Sequence, residues 1–213
     1  MKRWEWIELV EVLNKGYVEL LETMGGDDAV IRNARRCWRS ESKGEEADRK
    51  LIRHLLREGH KSPFEAMVFT FDVKAPIFVA RQWFRHRIAS YNEESLRYCT
   101  ALREYYVPAD LDSAQQERWL AHQEAAFDFY ESLVADGMKK EQARSVLPMG
   151  IYSRYYWTVN GSSLMNFLQL RMDKHAQWEI RQYARAIYQQ ARAVAPICFD
   201  EFERIAVKSD AAN

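Results

Sequence analysis

The sequence predicts an α+β fold: a single helix-rich domain over residues 1–213 with a small, mainly antiparallel sheet. Most of the chain carries apolar residues at the three-to-four spacing of a helix face. Two stretches instead alternate in twos or concentrate aromatic and β-branched residues, the mark of strands. Strands and helices do not follow each other as βαβ units, which disfavours a parallel sheet. With hydrophobic residues at 47% and aromatics at 13%, including seven Trp, the chain can build a core and is not a disordered one.

Taken in order, the first segment, Met1 to Glu8, carries charges inside its apolar stretch and lacks the apolar run of a secretory signal. Asp27-Asp28 ahead of Ala29, Val30, Ile31, Ala34, Cys37 and Trp38 predicts a capped helix. Leu51, Ile52, Leu55 and Leu56 form a second apolar stripe, with Gly59 placed as its C-terminal stop. Met67, Phe69, Phe71 and Val73 alternate with Val68, Thr70, Asp72 and Lys74, a strand. Pro76 suits the first turn of a helix reaching Phe84, and His86 to Ser95 has no clean period and reads as an ordered loop. Ser113 with Gln116 predicts a capping box for a long helix ended by Gly137. Ile151 to Val159 reads as a strand, and Ser162 or Ser163 as the cap of a helix to Arg171. A last helix carries Ile180, Tyr183, Ile187, Ala191 and Val194 and stops at Pro196.

Charge and cysteine usage narrow the function. Lys+Arg is 31 and Asp+Glu is 31, so bulk positive charge is not available to a generic polyanion binder. No run of apolar residues is long enough to span a bilayer, which predicts no membrane partner. Three cysteines, Cys37, Cys99 and Cys198, are widely separated and form no CxxC or zinc-type spacing, so they read as reduced thiols of a cytoplasmic protein without a metal site.

Against that neutral background, Arg81, Arg85, His86, Arg87 and Arg97 place five basic side chains in one short window. Guanidinium forks pair bidentately with phosphate or carboxylate oxygens. Ser90, Asn92 and Ser95 add short donors of the kind that complete a phosphate shell, and Glu93 and Glu94 can hold arginines apart or accept from a ribose hydroxyl. A solvated, salt-bridged loop is the plain alternative for such a cluster.

The window resembles the flavin-dependent thymidylate synthases. Arg85-His86-Arg87, seven residues, then Ser95 is that family's RHRx7S motif, and Ser90, Asn92, Glu93, Arg97 and Tyr98 fit its extended form. His60-Lys61-Ser62-Pro63-Phe64-Glu65 resembles the family's upstream block. Asn160 to Asn166, Leu170-Arg171, Asp173 and His175 to Glu179 resemble its C-terminal block, so the likeness covers residues 25–205. It implies methylation of dUMP to dTMP, with methylenetetrahydrofolate as one-carbon donor, FAD as redox cofactor and NADPH as reductant. It also implies a homotetramer with sites shared between subunits. By position, Ser62, Arg85, His86, Arg87, Glu93, Asn160, Gly161, Ser162 and Asn166 fall at flavin contacts. Gln82, Trp83, Phe84, Arg85, Glu93, Glu94, Ser95, Leu96, Arg97, Arg144 and Arg171 fall at nucleotide contacts, and Arg171 matches the residue that polarises the uracil. The chain departs from the family at Ala66, where many members have a second His, and at Ser162, where an Arg can reach the FAD phosphates.

Single residues allow rival readings. Cys99 reads as a small buried hydrophobe rather than a nucleophile, and Ser95 as a phosphate contact, since no base is assigned to it. His60 fits a core, capping or flavin-side role. His175 beside Asp173 reads as support for a helix start. Tyr152, Tyr155, Tyr156 and Trp157 read as core. A nucleic-acid-binding module, with Tyr91 and Tyr98 as stacking platforms on the basic loop, is the second functional class; the zero net charge argues against it.

Overall fold

In the computed structural model, residues 8–207 are described; the N-terminal segment of residues 1–7 lies outside the described residues. Five strands, β1 (Val10–Val12), β2 (Gly16–Met24), β3 (Val68–Pro76), β4 (Ser90–Glu93) and β5 (Tyr152–Asn160), form one sheet in the order β1-β2-β3-β5-β4. Every pairing in it is antiparallel. The period of two in β3 sends Phe69, Phe71 and Val73 to one face, where β5 adds Tyr155, Trp157 and Val159. Phe71 and Trp157 are cross-strand partners with ring centroids 5.7 Å apart.

Helices cover that face and a smaller cluster beside it. Along the chain these are α1 (Asp27–Arg36), α2 (Glu45–Arg57), α3 (Ile77–Trp83), α4 (Ser113–Ala135), α5 (Lys140–Ala143), α6 (Gly161–Arg171), α7 (Trp178–Val194) and α8 (Pro196–Phe202). A 3₁₀ turn, Ser62–Ala66, leads into β3 and packs against α1 and α6. Trp83, the last residue of α3, is fully buried with Trp157, Phe167, Tyr155 and Tyr183 around it at centroid distances of 5.2, 4.8, 5.6 and 5.9 Å. Burying one such ring contributes about 1.5–3 kcal/mol. It also anchors the next residues, Arg85-His86-Arg87, directly above the core. A smaller cluster of Ala101, Phe127, Tyr130, Ala143 and Ile151 sits under α4. The loop before α4 is tied to it by Arg103, which bonds Glu124, Asp128 and Glu131 at 2.7, 2.5 and 2.8 Å. No helix among the described residues is long and apolar enough to cross a membrane.

Several local expectations are corrected. Ser90–Glu93 is a strand rather than part of a loop: only Tyr91 turns inward, so its alternation is too short to read, and pairing with β5 supplies the order. Asp112, not Ser113, caps α4, in a capping box with Gln115. Asn160, not Ser162 or Ser163, caps α6 by accepting from the Ser163 N–H at 2.9 Å. Asp27 lies inside the first turn of α1 and does not cap it. Its carboxylate instead accepts from the Ile197 and Cys198 N–H groups at 2.9 and 2.8 Å, satisfying the start of α8, a helix with no periodic stretch to announce it. The first two strands were not read from sequence either. Tyr156 is exposed while Tyr152, Tyr155 and Trp157 are core, because the middle of β5 turns Arg154 and Tyr156 outward. Cys99 is exposed, not buried, because it follows β4 in an irregular surface segment; Cys198 is the buried thiol.

Candidate active site

The turn that follows α3 places the RHR motif beside the C-terminal end of α6. His86 N–H donates to the Trp83 carbonyl at 3.0 Å, which folds the motif back on the helix end. Arg171, the last residue of α6, then meets it: its Nε donates to His86 Nε2 at 3.0 Å and its Nη2 to the Gln82 carbonyl at 3.2 Å. Two of its nitrogens are thereby fixed, and the guanidinium plane is set before any ligand arrives. An Nε2 that accepts requires a neutral imidazole carrying its proton on Nδ1. The surroundings agree: burial, and then the adjacent Arg171 charge, lower the His86 pKa from 6.5 to about 4.

A cleft of about 500 Å³ opens at this junction. Arg85, His86, Arg87, Ser162, Asn166 and Arg171, six of the residues singled out in the sequence, line it together with Lys61 and Trp157. Lys61, Arg85, Arg87 and Arg171 bring four cationic side chains to the wall, which carries no Asp or Glu. Such a cleft favours an anion, and the neighbouring Ser and Asn donors suit phosphate oxygens. A second recess of about 350 Å³ shares Lys61, Ser162 and Asn166 with it and is walled by Leu55, Leu56, Phe64 and Met165. Two larger hollows, of about 610 and 770 Å³, contain none of the motif residues.

The remaining residues take other places. Ser62 is exposed on the 3₁₀ turn next to Lys61. Asn160 spends its side-chain oxygen on the α6 cap, and Gly161 is buried where α6 meets that turn. Gln82 bonds Gln177 through its side chain. Trp83 and Phe84 face the core, so only their backbone reaches the motif side. Glu93 accepts from Ser153 Oγ at 2.6 Å, and Glu94 from the Arg154 N–H at 3.1 Å. Ser95 carbonyl accepts from Tyr98 and Cys99, and Leu96 packs on the smaller core cluster. Arg97 Nε donates to Glu141 at 3.2 Å, and Arg144 Nε to the Glu141 carbonyl at 3.3 Å. These last form a second patch around α5, outside the cleft.

Placement bears on three rival readings. Tyr91 lies against Trp157 and Phe84, so one of the two stacking platforms required by a nucleic-acid module is turned inward. His60 is exposed; its N–H closes the end of α2 on the Leu55 carbonyl at 2.8 Å. His175 N–H donates to Asp173 at 2.7 Å in the turn before α7. Lys61 was missed, although it stands inside a block already singled out. Trp157 was noticed only as core.

Protonation of His86 costs its acceptor, and the sign of the resulting pH dependence follows. Between pH 6.5 and about 4 the unfolded chain takes up a proton at His86 that the folded chain refuses, so stability falls as pH falls through that window. Urea midpoints at pH 7 and pH 4.5 are therefore expected to drop further for the wild type than for His86→Gln. Equal drops would show that His86 is not held neutral.

Comparison with known proteins gives the family. A family model described as "Thymidylate synthase complementing protein" matches residues 19–197. A flavin-dependent thymidylate synthase of Thermotoga neapolitana is 50% identical over 210 residues, covering 94% of this chain and 97% of its own. One from Thermus thermophilus is 42% identical, over 91% of this chain and 78% of its own. The crystal structure of a UMP/dUMP methylase, PolB from Streptomyces cacaoi, bound with 5-Br dUMP, superposes with a TM-score of 0.84 at 32% identity, covering 92% of this chain and 98% of that one. With its RHR turn, Arg171 and cationic cleft in these places, the chain belongs to the flavin-dependent thymidylate synthase family, the thymidylate synthase complementing proteins.

Proposed function

We propose that the protein, as one domain over residues 1–213, methylates dUMP to dTMP in the cytoplasm, using FAD, NADPH and methylenetetrahydrofolate. The observation that carries the reading is Arg171, held at 3.0 Å by His86 and at 3.2 Å by Gln82 at the edge of a cleft whose charged side chains are all cationic. The cleft suits a flavin dinucleotide: Lys61, Arg85 and Arg87 offer charge for its diphosphate, and Ser162 and Asn166 offer donors. When bound, the flavin supplies the reducing equivalents. Arg171 directs its remaining donors to a uracil carbonyl, favouring the enolate-like ring whose C5 is nucleophilic. Arg97 and Arg144 bind the nucleotide phosphate, with Ser95 and Glu93 beside them. Three free thiols fit a reducing compartment.

The direct test is spectroscopic. Purified protein is expected to be yellow, to release free FAD on acid denaturation, and to change its flavin spectrum when titrated with dUMP. A colourless protein that cannot be reconstituted with FAD would sink the assignment.

We also propose a homotetramer with shared sites. Its support is the division of the nucleotide residues into two patches, one around Arg171 and one around Glu141. If the two patches of one site come from different chains, mixing inactive Arg171→Ala and Arg144→Ala proteins restores intact sites, about a quarter of the total for random assembly. An Arg97→Ala and Arg144→Ala mixture, both on one patch, stays inactive. A fully active monomer in sedimentation would refute the model.

A further inference from the structure

Arg171 depends on two acceptors, the Gln82 carbonyl in the last turn of α3 and His86 Nε2 in the turn that follows. One side chain from elsewhere in the fold grips that turn. Tyr91, the inward residue of β4, stands opposite Trp157 in the sheet, its ring stacked on the indole at 19° and its edge against Phe84 at 4.8 Å. Its hydroxyl donates to the His86 carbonyl at 2.8 Å and lies 3.3 Å from the Trp83 carbonyl. Those carbonyls belong to the residue after the first acceptor and to the residue that carries the second.

We infer that Tyr91 is a positioning residue: its hydroxyl fixes the 82–86 turn so that Gln82 and His86 present their acceptors to Arg171. The ring acts as a strut from the sheet to the turn. Packed against Trp157 and Phe84, it cannot swing, so the hydroxyl position is set by the core and not by the loop. Burial pushes the Tyr91 pKa up to about 12, so the group remains a donor throughout the neutral range. Without that donor the His86 carbonyl is free to turn toward water, and the imidazole loses its reason to keep Nε2 toward the guanidinium. Small misplacements of a group that acts on reacting atoms cost rate more than they cost binding. The inference rests on the reading of Arg171 as the uracil-side cation.

Tyr91→Phe isolates the hydroxyl, because the ring packing is retained. The full-length holoprotein, with its five histidines labelled with nitrogen-15 and His86 assigned by His86→Gln, gives two independent readouts. Wild-type His86 is expected in the single tautomer with its proton on Nδ1; the opposite tautomer overturns the inference whether or not the protein is active. In Tyr91→Phe, FAD content and thermal midpoint stay near wild type and KM for dUMP changes less than about twofold. The kcat for dTMP falls about tenfold, as expected for a misoriented group, and the His86 signals become an average of both tautomers. Full turnover in the variant, or lost turnover with the His86 tautomer unchanged, overturns the inference. Wild-type protein that binds no flavin and forms no dTMP would instead refute the proposed function, and the tautomer measurement would still read the Tyr91 contact.

Discussion

Arg171→Ala is expected to abolish dTMP formation while leaving most of the FAD bound. Lys61, Arg85, Arg87, Ser162 and Asn166 remain in the cleft wall, so the dinucleotide keeps its anion contacts. What disappears is a cation whose plane is set by His86 and Gln82. Removing one preorganised donor from an oxyanion-type site lowers kcat by about 10²–10³, and a charged one is worth at least as much. The cost in stability is small by comparison, about 1 kcal/mol for the hydrogen bonds lost at a half-buried position. Arg171→Lys is also expected to be poor: one ammonium cannot satisfy His86 Nε2 and the Gln82 carbonyl and still face the pyrimidine. Assay of dTMP formation beside the flavin absorbance separates these outcomes. Near-normal turnover in Arg171→Ala would remove Arg171 from the reaction; loss of flavin together with turnover would move it to the cofactor.

The legible parts of this fold are those whose own side chains declare the environment. β3 and β5 are central strands with bulky residues on the core face, and α2, α4 and α7 are long enough to show a stripe. β2 was missed, although Val18 and Leu20 are buried around Glu19, because Leu21 and the bulge between Leu20 and Glu22 break that alternation after a few residues. β4 is shorter still, with Tyr91 alone facing in. The caps slipped for a related reason: several Asx and Ser residues stand near each helix start, and the one held in extended backbone just ahead of the first turn is used, Asp112 for α4 and Asn160 for α6. Asp27 serves α8, across the chain, rather than its own helix.

The candidate site was legible as a set of residues but not as a geometry. The RHR motif and Arg171 are 84 positions apart counting from Arg87, and nothing local announces that His86 would be the partner of Arg171. Nor does spacing reveal that Arg97 and Arg144 meet through Glu141 rather than in the cleft. Trp83 falls at a nucleotide-contact position by resemblance; its ring is in the core, and that burial holds the motif behind it in place.

Gly161→Val is expected to remove flavin binding and to destabilise the fold, linking the two halves of the cleft through one missing side chain. Gly161 opens α6 and donates its N–H to the Met67 carbonyl at 2.9 Å. A Cβ there would stand 2.7 Å from the Phe64 carbonyl oxygen and 2.6 Å from Met67 Cε. The first of these is backbone of the 3₁₀ turn and cannot rotate away, so α6 and the turn must separate. Overpacking of this kind typically costs about 1–3 kcal/mol, and a branched side chain against a backbone oxygen belongs at the upper end. The separation falls where it harms the ligand most. Lys61 stands at the start of the turn and Ser162 and Asn166 on the first turns of α6, and all three line the cleft. Flavin affinity is therefore expected to fall about a hundredfold or more, equivalent to about 3 kcal/mol, with the thermal midpoint lowered in the apoprotein as well. Ser162→Ala is the control: it removes one donor on the same turn without forcing the helix away, and is expected to weaken FAD binding less than tenfold, about 1 kcal/mol for a single hydrogen bond. Equal flavin affinity in Gly161→Val and wild type, measured by absorbance titration of the apoproteins, would show that the cleft does not hold the cofactor between α6 and the turn.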